Sequence, residues 1–220
     1  MKRAVLTALA LLPLTLSTPA HAAPTAPAAE TAPLSVAISR LAVDAEDRTG
    51  YKRTAFRHWN SGLDPRDGCN TRQEVLISEA QAAPTIGAGC KLAGGEWWSY
   101  YDETRVVGPE ANDIDHTVAL GEAWDSGASA WTVARREAYA NDQDAPASLV
   151  AVTARSNRAK GDKDPADWLP PAASAQCRYA QEWTSTKLRW NLAIDEEEQD
   201  RLYFLAAGCT DTVVTWEPAP

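Results

Sequence analysis

Asp113-Ile114-Asp115-His116 and, further along, Ser156-Asn157-Arg158-Ala159-Lys160-Gly161-Asp162 are the stretches on which the reading of this chain turns. The first sets a carboxylate beside an imidazole. The second sets a side-chain amide early in a short basic helix, Thr153 to Lys160, closed by Gly161. Between them, Ser148 to Val152 is an apolar run of strand length. The first strand is expected over Asp115 to Leu120, opened by Asp115-His116. The order is then strand, strand, helix. The excursion joining the two strands carries its own helix, Trp131 to Asn141, with Trp131, Ala134 and Ala138 at helical spacing and charges opposite.

Working outward, Thr71 to Ala80 reads as a helix and the aromatic run Gly95 to Tyr101 as a strand. The C-terminal third is helical. Ala175 to Trp190 is followed by a second helix capped by Asp195, with Glu198 three residues on. These elements predict an α+β fold. Residues 1–22 read as a secretory signal: Lys2-Arg3, an apolar stretch from Ala4 to Leu16, then Ala20-His21-Ala22. Residues 23–35 are expected to be a disordered Ala/Pro-rich leader, and residues 36–220 one domain. Roughly 185 residues suffice for a proper core. The stretch of apolar residues in the signal is too short to anchor a bilayer, so the chain is expected to be secreted, with no membrane association, as a monomer.

Four cysteines lie beyond the signal, and an even count in an oxidising compartment predicts two disulfides. Three pairings are possible. Cys69–Cys90 with Cys177–Cys209 is expected, because each closes a local loop on its own side of the candidate site. A metal–thiolate centre is disfavoured, since no CxxC or Cys/His spacing occurs. The net charge is −9, and removal of Lys2 and Arg3 leaves 19 basic against 30 acidic side chains, or −11. That excludes a protein that coats nucleic acid through a broad basic surface. It leaves room for an enzyme that touches phosphates locally, with a divalent cation supplying positive charge.

Past the signal the histidines are His58 and His116. Phosphodiester hydrolysis needs an activated water, stabilisation of a dianionic transition state and support for the leaving oxygen. An Mg²⁺-like ion held by a carboxylate and an amide oxygen keeps several waters and can serve the last two. A neutral imidazole can take the proton from water near pH 7. Asp115 and Asn157 suit the metal, and His116 suits the base. Arg158, Lys160 and Arg72 are candidate phosphate contacts. His58, between Arg57 and Trp59, reads as a packed structural residue, and most of the nine tryptophans read as core.

The D-x-D-H strand, the short apolar strand and S-N-R-x-K-G-D together resemble the HNH nucleases, also called His-Me finger or ββα-metal nucleases. The resemblance is to the secreted bacterial group related to the C-terminal domain of GmrSD restriction endonucleases. It extends over about residues 40–210, through Tyr51, Phe56 and His58-Trp59, Gly68 to Arg72 with Glu74 to Leu76, Trp98 to Asp102, and Cys177 to Ala180. It implies a ββα-metal core surrounded by helices, cleavage leaving a 5′-phosphate, His116 as general base, and Asp115 and Asn157 as ligands of Mg²⁺ or Mn²⁺. Many relatives carry Asn or His just before the second strand to position the base. Here that place is Ser148, or the role falls to Asn141. The run Leu63 to Gly68 resembles a degraded calcium loop, with too few acidic side chains to count as a site.

The expected activity is that of a metal-dependent endonuclease of low sequence specificity on DNA, with RNA as a second substrate. Two rivals stand beside it: an exported non-catalytic binding module stabilised by metal, and a phosphodiesterase acting on small nucleotides. A serine hydrolase is disfavoured, since no G-x-S-x-G occurs and the two histidines lack a nucleophile partner.

Overall fold

The apolar run Leu149 to Val152 forms a strand buried on both faces, and the rest of the chain is arranged to cover it. The computed structural model describes residues 28–220. In chain order the elements are β1 (Glu30–Pro33), α1 (Leu34–Ile38), α2 (Thr71–Glu79), β2 (Thr85–Gly87), β3 (Lys91–Ala93), β4 (Glu96–Ser99), β5 (Thr104–Val107) and β6 (Asn112–His116). Then follow α3 (Leu120–Asp125), α4 (Val133–Ala140), β7 (Leu149–Thr153), α5 (Ala154–Lys160), α6 (Gln176–Trp190), α7 (Glu196–Gly208) and β8 (Val213–Trp216). Four two-stranded antiparallel sheets pair β1 with β8, β2 with β3, β4 with β5, and β6 with β7. The fold mixes helix and strand, as expected.

The β6–β7 ladder runs from Asn112 opposite Thr153 to His116 opposite Leu149. Side chains alternate between faces. Ile114, Leu149 and Ala151 join Val75, Leu76, Trp97 and Val106 in a small apolar cluster under α2, β4 and β5. Val150 and Val152 enter the main core with α1, α6 and α7. Two outward N–H groups of β7 are met by side chains rather than by another strand: Ala151 donates to Glu79 Oε2 at 2.7 Å, and Thr153 to Ser99 Oγ at 3.0 Å. A strand edge is thereby closed without a third strand.

Two expectations are corrected. The first strand is Asn112–His116, so Asp115-His116 close it rather than open it, and Leu120 begins α3. The reason is register: β7 offers five residues, and the ladder is used up at His116. The leader is ordered from Glu30 on. Ala32 and Leu34 are buried, because β8 places Val214 and Trp216 in the core and β1 completes that edge. Residues 1–27, with the signal and the first part of the leader, lie outside the described residues. Among those described, no helix is long and apolar enough to cross a membrane.

Both disulfides pair as expected. Cys69–Cys90 ties the start of α2 to the turn before β3, and Cys177–Cys209 ties the start of α6 to the end of α7, with Cα atoms 4.9 and 5.5 Å apart. The caps follow from local chemistry. Asn70 and Gln73 form a reciprocal box at α2, and Asp195 accepts from the Glu198 amide at α7. The Glu198 side chain is drawn instead to Lys187 and Trp183, so that second box is only half made.

Partial burial raises the Glu79 carboxyl from its ordinary 4.5 to about 7, against the pull of the Ala151 amide. A carboxyl raised on folding contributes stability below pH 4.5 that fades as pH climbs through 7. Wild-type stability relative to Glu79→Gln therefore falls across that window, by less than about 1.4 kcal/mol per pH unit because the group is part exposed. Urea unfolding of both proteins at several pH values checks this, and a constant difference would contradict it.

Candidate active site

Asp115, His116 and Asn157 all line one cleft of about 200 Å³ at the end of the β6–β7 hairpin, together with Arg158, Asp162 and Arg53. They reach it from opposite sides. Neighbouring strand residues point to opposite faces, so Asp113 and Asp115 turn toward α5, while His116 turns toward α4. Thr153 starts α5 by accepting from the Ser156 amide, and Gly161, at φ 59°, ends it. About two helical turns therefore carry both Asn157 and Lys160 past β6.

The α5 N-terminus is clamped from the turn between β4 and β5. Asp102 Oδ2 accepts from Thr153 Oγ1 at 2.7 Å and Ser156 Oγ at 2.9 Å, and Oδ1 accepts from Ser99 Oγ at 2.6 Å. The next residue back, Tyr101, is fully buried and donates its hydroxyl to Asp115 Oδ2 at 2.7 Å. The Trp98 to Asp102 run thus holds both the carboxylate strand and the amide helix.

Lys160 has no solvent exposure. Its ammonium donates to Asp115 Oδ1 at 3.0 Å and to the His116 carbonyl at 2.9 Å. It is a structural countercharge, and the expected phosphate contact at this position is overturned. Burial raises the Asp115 carboxyl from its ordinary 3.8, while Lys160 and Tyr101 pull it back. Arg72 is likewise spent on structure, donating to the carbonyls of Pro109 at 3.2 Å and Asn112 at 2.8 Å, where β6 begins.

His116 is oriented by a group that no residue type announces. Its Nε2 lies 2.9 Å from the Ala140 carbonyl. A carbonyl only accepts, so Nε2 carries the proton and Nδ1 keeps the lone pair. The ring is flanked by Trp59 at 5.5 Å and Tyr139 at 6.4 Å, both nearly parallel to it. Burial pushes its pKa from 6.5 down to about 3, against the hydrogen bond to Ala140 and helped by the charges of His58, Arg53 and Lys160, so the imidazole is neutral at physiological pH. Neither Ser148 nor Asn141 positions it. Ser148 donates to Asp142 at 2.7 Å, and Asn141 bridges the Arg57 and Glu137 carbonyls to Asn60 and Thr71. His58 packs edge-on to Trp59 and donates from Nδ1 to the Phe56 carbonyl, a structural role.

Which atoms here suit a hard cation follows from the donors. Asn157 donates through Nδ2 to Asp113 Oδ2 at 3.3 Å, leaving Oδ1 as an acceptor. Two carboxylate oxygens offer about four acceptor sites, and Tyr101 and Lys160 do not use all of those on Asp115. One carboxylate site, one amide oxygen and water form an acceptable set for Mg²⁺. Elsewhere, Glu46, Glu122 and Asp125 bring ligand atoms within 4.8 Å of one another. That group is balanced from within: Lys187 pairs with Glu122, Arg48 pairs with Asp125, and burial followed by the Glu122 charge pushes Glu46 up to about 8. A larger concavity of about 530 Å³ between Val43–Glu46 and Asp195–Glu197 is walled by carboxylates and repels a polyanion.

Because Lys160 holds Asp115 in the interior, Lys160→Met strands a buried carboxylate and is expected to destabilise the protein by about 3–5 kcal/mol. Arg158→Gln, at an exposed position, changes stability by no more than about 0.5 kcal/mol. Chemical denaturation distinguishes them. Equal midpoints for the two variants would return Lys160 to the list of surface cations.

Residues 89–203, which contain Asp115, His116 and Asn157, match the family described as GmrSD restriction endonucleases, C-terminal domain. The chain is also 37% identical over 160 residues to an uncharacterized secreted protein of Arthroderma benhamiae, covering 73% of this chain and 76% of that protein. No solved structure matches. On the strength of a match spanning half its length, the chain belongs to the GmrSD restriction endonuclease C-terminal domain family.

Proposed function

We propose that this protein is a secreted, metal-dependent endonuclease of the HNH type, hydrolysing phosphodiester bonds of DNA, and of RNA as a second substrate, with low sequence specificity. The observation that carries the reading is the meeting of His116, Asp115 and Asn157 in one cleft, with the His116 tautomer set by Ala140. Family membership supports a nuclease-like activity. The secreted relative and the two disulfides support an extracellular location. The strand–strand–helix order of β6, β7 and α5 is compatible with a ββα-metal core.

His116 Nδ1 accepts a proton from water, while the Ala140 carbonyl steadies the ring as charge develops on it. Asp115 and Asn157 would hold the divalent cation, Mg²⁺ or Mn²⁺. When bound, it would offset the charge on the phosphate and on the leaving oxygen. Tyr101 and Lys160 keep Asp115 in place, and Asp113 keeps the Asn157 amide from turning. Arg158, 79% exposed, supplies local positive charge in an acidic chain. The protein is expected to act as a monomer.

A plasmid-nicking assay of the purified protein, with Mg²⁺ and with EDTA, tests this. Cleavage is expected with the metal alone. His116→Ala should lower the rate by roughly 100- to 10,000-fold, with the circular dichroism spectrum retained, and Asn157→Ala should raise the Mg²⁺ concentration needed. Plasmid left intact while Mg²⁺ raises the melting temperature would identify a binding module instead. Fast hydrolysis of chromogenic phosphodiesters with plasmid spared would identify a small-nucleotide phosphodiesterase.

A further inference from the structure

The cleft contains a cation that stands far from both motifs in the chain. Arg53 opens a single 3₁₀ turn, Arg53–Ala55, and lines the same space as His116 and Asn157. Its backbone is firmly held. Phe56, 1% exposed, closes the turn and packs edge-on to Trp124 and Tyr139, and Arg136 donates to the Ala55 carbonyl at 3.3 Å. Tyr139 is also the ring beside His116. The turn bearing Arg53 is thus anchored on the aromatic floor that sets the imidazole.

The side chain lacks an acidic partner, its charge lying instead beside the Tyr51 hydroxyl. Arg158 leans on Asp113 and Arg57 on Glu137, each at 3.7 Å, and Arg48 bridges Asp125 and Asp162. Arg53 has no carboxylate within ion-pair distance among the described residues. In a chain of net charge −9, an unpaired guanidinium at a catalytic cleft is conspicuous. Its complement is an anion from outside, and a planar fork of N–H donors matches two oxygens of one phosphate. Asp162 is the nearby carboxylate that would repel such an anion, and Arg48 offsets it at 3.3 Å.

We propose that Arg53 binds the scissile phosphate of the nucleic-acid substrate and presents it to His116, with Arg158 as a weaker second contact. This rests on the nuclease reading and deepens it by naming the substrate contact.

The test uses the full-length secreted protein and a short fluorescein-labelled DNA duplex. Binding is measured by anisotropy in EDTA across a KCl series, and cleavage is measured separately with Mg²⁺. Arg53→Gln should weaken binding by about tenfold or more and reduce the slope of log affinity against log salt by about one. Arg53→Lys should recover part of the affinity but little of the cleavage rate, since an ammonium cannot grip two oxygens at once. Arg57→Gln removes the same charge from outside the cleft and should leave both readouts near wild type. An Arg53→Gln protein with wild-type affinity, slope and cleavage overturns the inference, as does a wild-type protein that binds no duplex. Binding that depends on Arg53 without cleavage by the wild-type protein upholds the phosphate contact and removes the nuclease reading instead.

Discussion

One buried ammonium organises the site. Lys160 projects from the last turn of α5 into the interior and meets both the Asp115 carboxylate and the carbonyl of His116. It therefore fixes the side chain of one residue and the backbone of the next, at the point where β6 ends. An ion pair of this kind contributes little net stability, because desolvation offsets most of the attraction, but loss of one partner leaves an unpaired charge inside. The consequence is positional. The helix carrying Asn157 cannot shift along the hairpin without breaking that pair, and the Asp102 clamp resists the same movement at the other end of α5.

The same device recurs where α3, α6 and α7 meet and where the loop before β7 meets α6. Lys187, without solvent exposure, gathers Glu122, Ser126, Glu198 and the Ala193 carbonyl, joining α3, α6 and α7. Asp142 collects Ser148, Trp190 and both arms of Arg189, joining the loop before β7 to α6. A domain made of four separate two-stranded sheets has little backbone ladder to set the angles between its parts. Directional contacts among buried charged and polar groups fix what apolar packing leaves loose. The disulfides add constraint at the start of α2 and between α6 and α7.

Charge explains how an acidic protein can present a site for a polyanion. Carboxylates near the cleft are either buried against cations, as Asp115 is, or neutralised at its rim, as Asp162 is by Arg48. Further carboxylates line a separate concavity, near Glu46 and Asp195. Arg53 and Arg158 remain to face the opening. Local field, rather than net charge, decides where an anion settles.

The chain by itself determined the longer helices, the strand of β7 and the candidate site residues. Periodicity and caps located α2, α4, α5, α6 and α7 within a residue or two, and missed the short α1 and α3. The unbroken apolar run Leu149 to Val152 marked a strand covered on both faces, and residue type with order singled out Asp115, His116 and Asn157. Local signals settle such features because they depend on neighbours in sequence. Tertiary structure decided which charges are available. Lys160 and Arg72 read as surface cations, yet one is sealed inside and the other caps carbonyls, since burial depends on packing partners far away in the chain. The group steadying His116 is the backbone of Ala140, which no alphabet of side chains can reveal, and Arg53 joins the cleft from 63 positions before His116. The strand at Glu30 to Pro33 needed β8, at the opposite end of the chain, before its Ala/Pro-rich composition acquired a conformation. Contacts between residues distant in sequence supply that information, and they exist only once the chain has closed on itself.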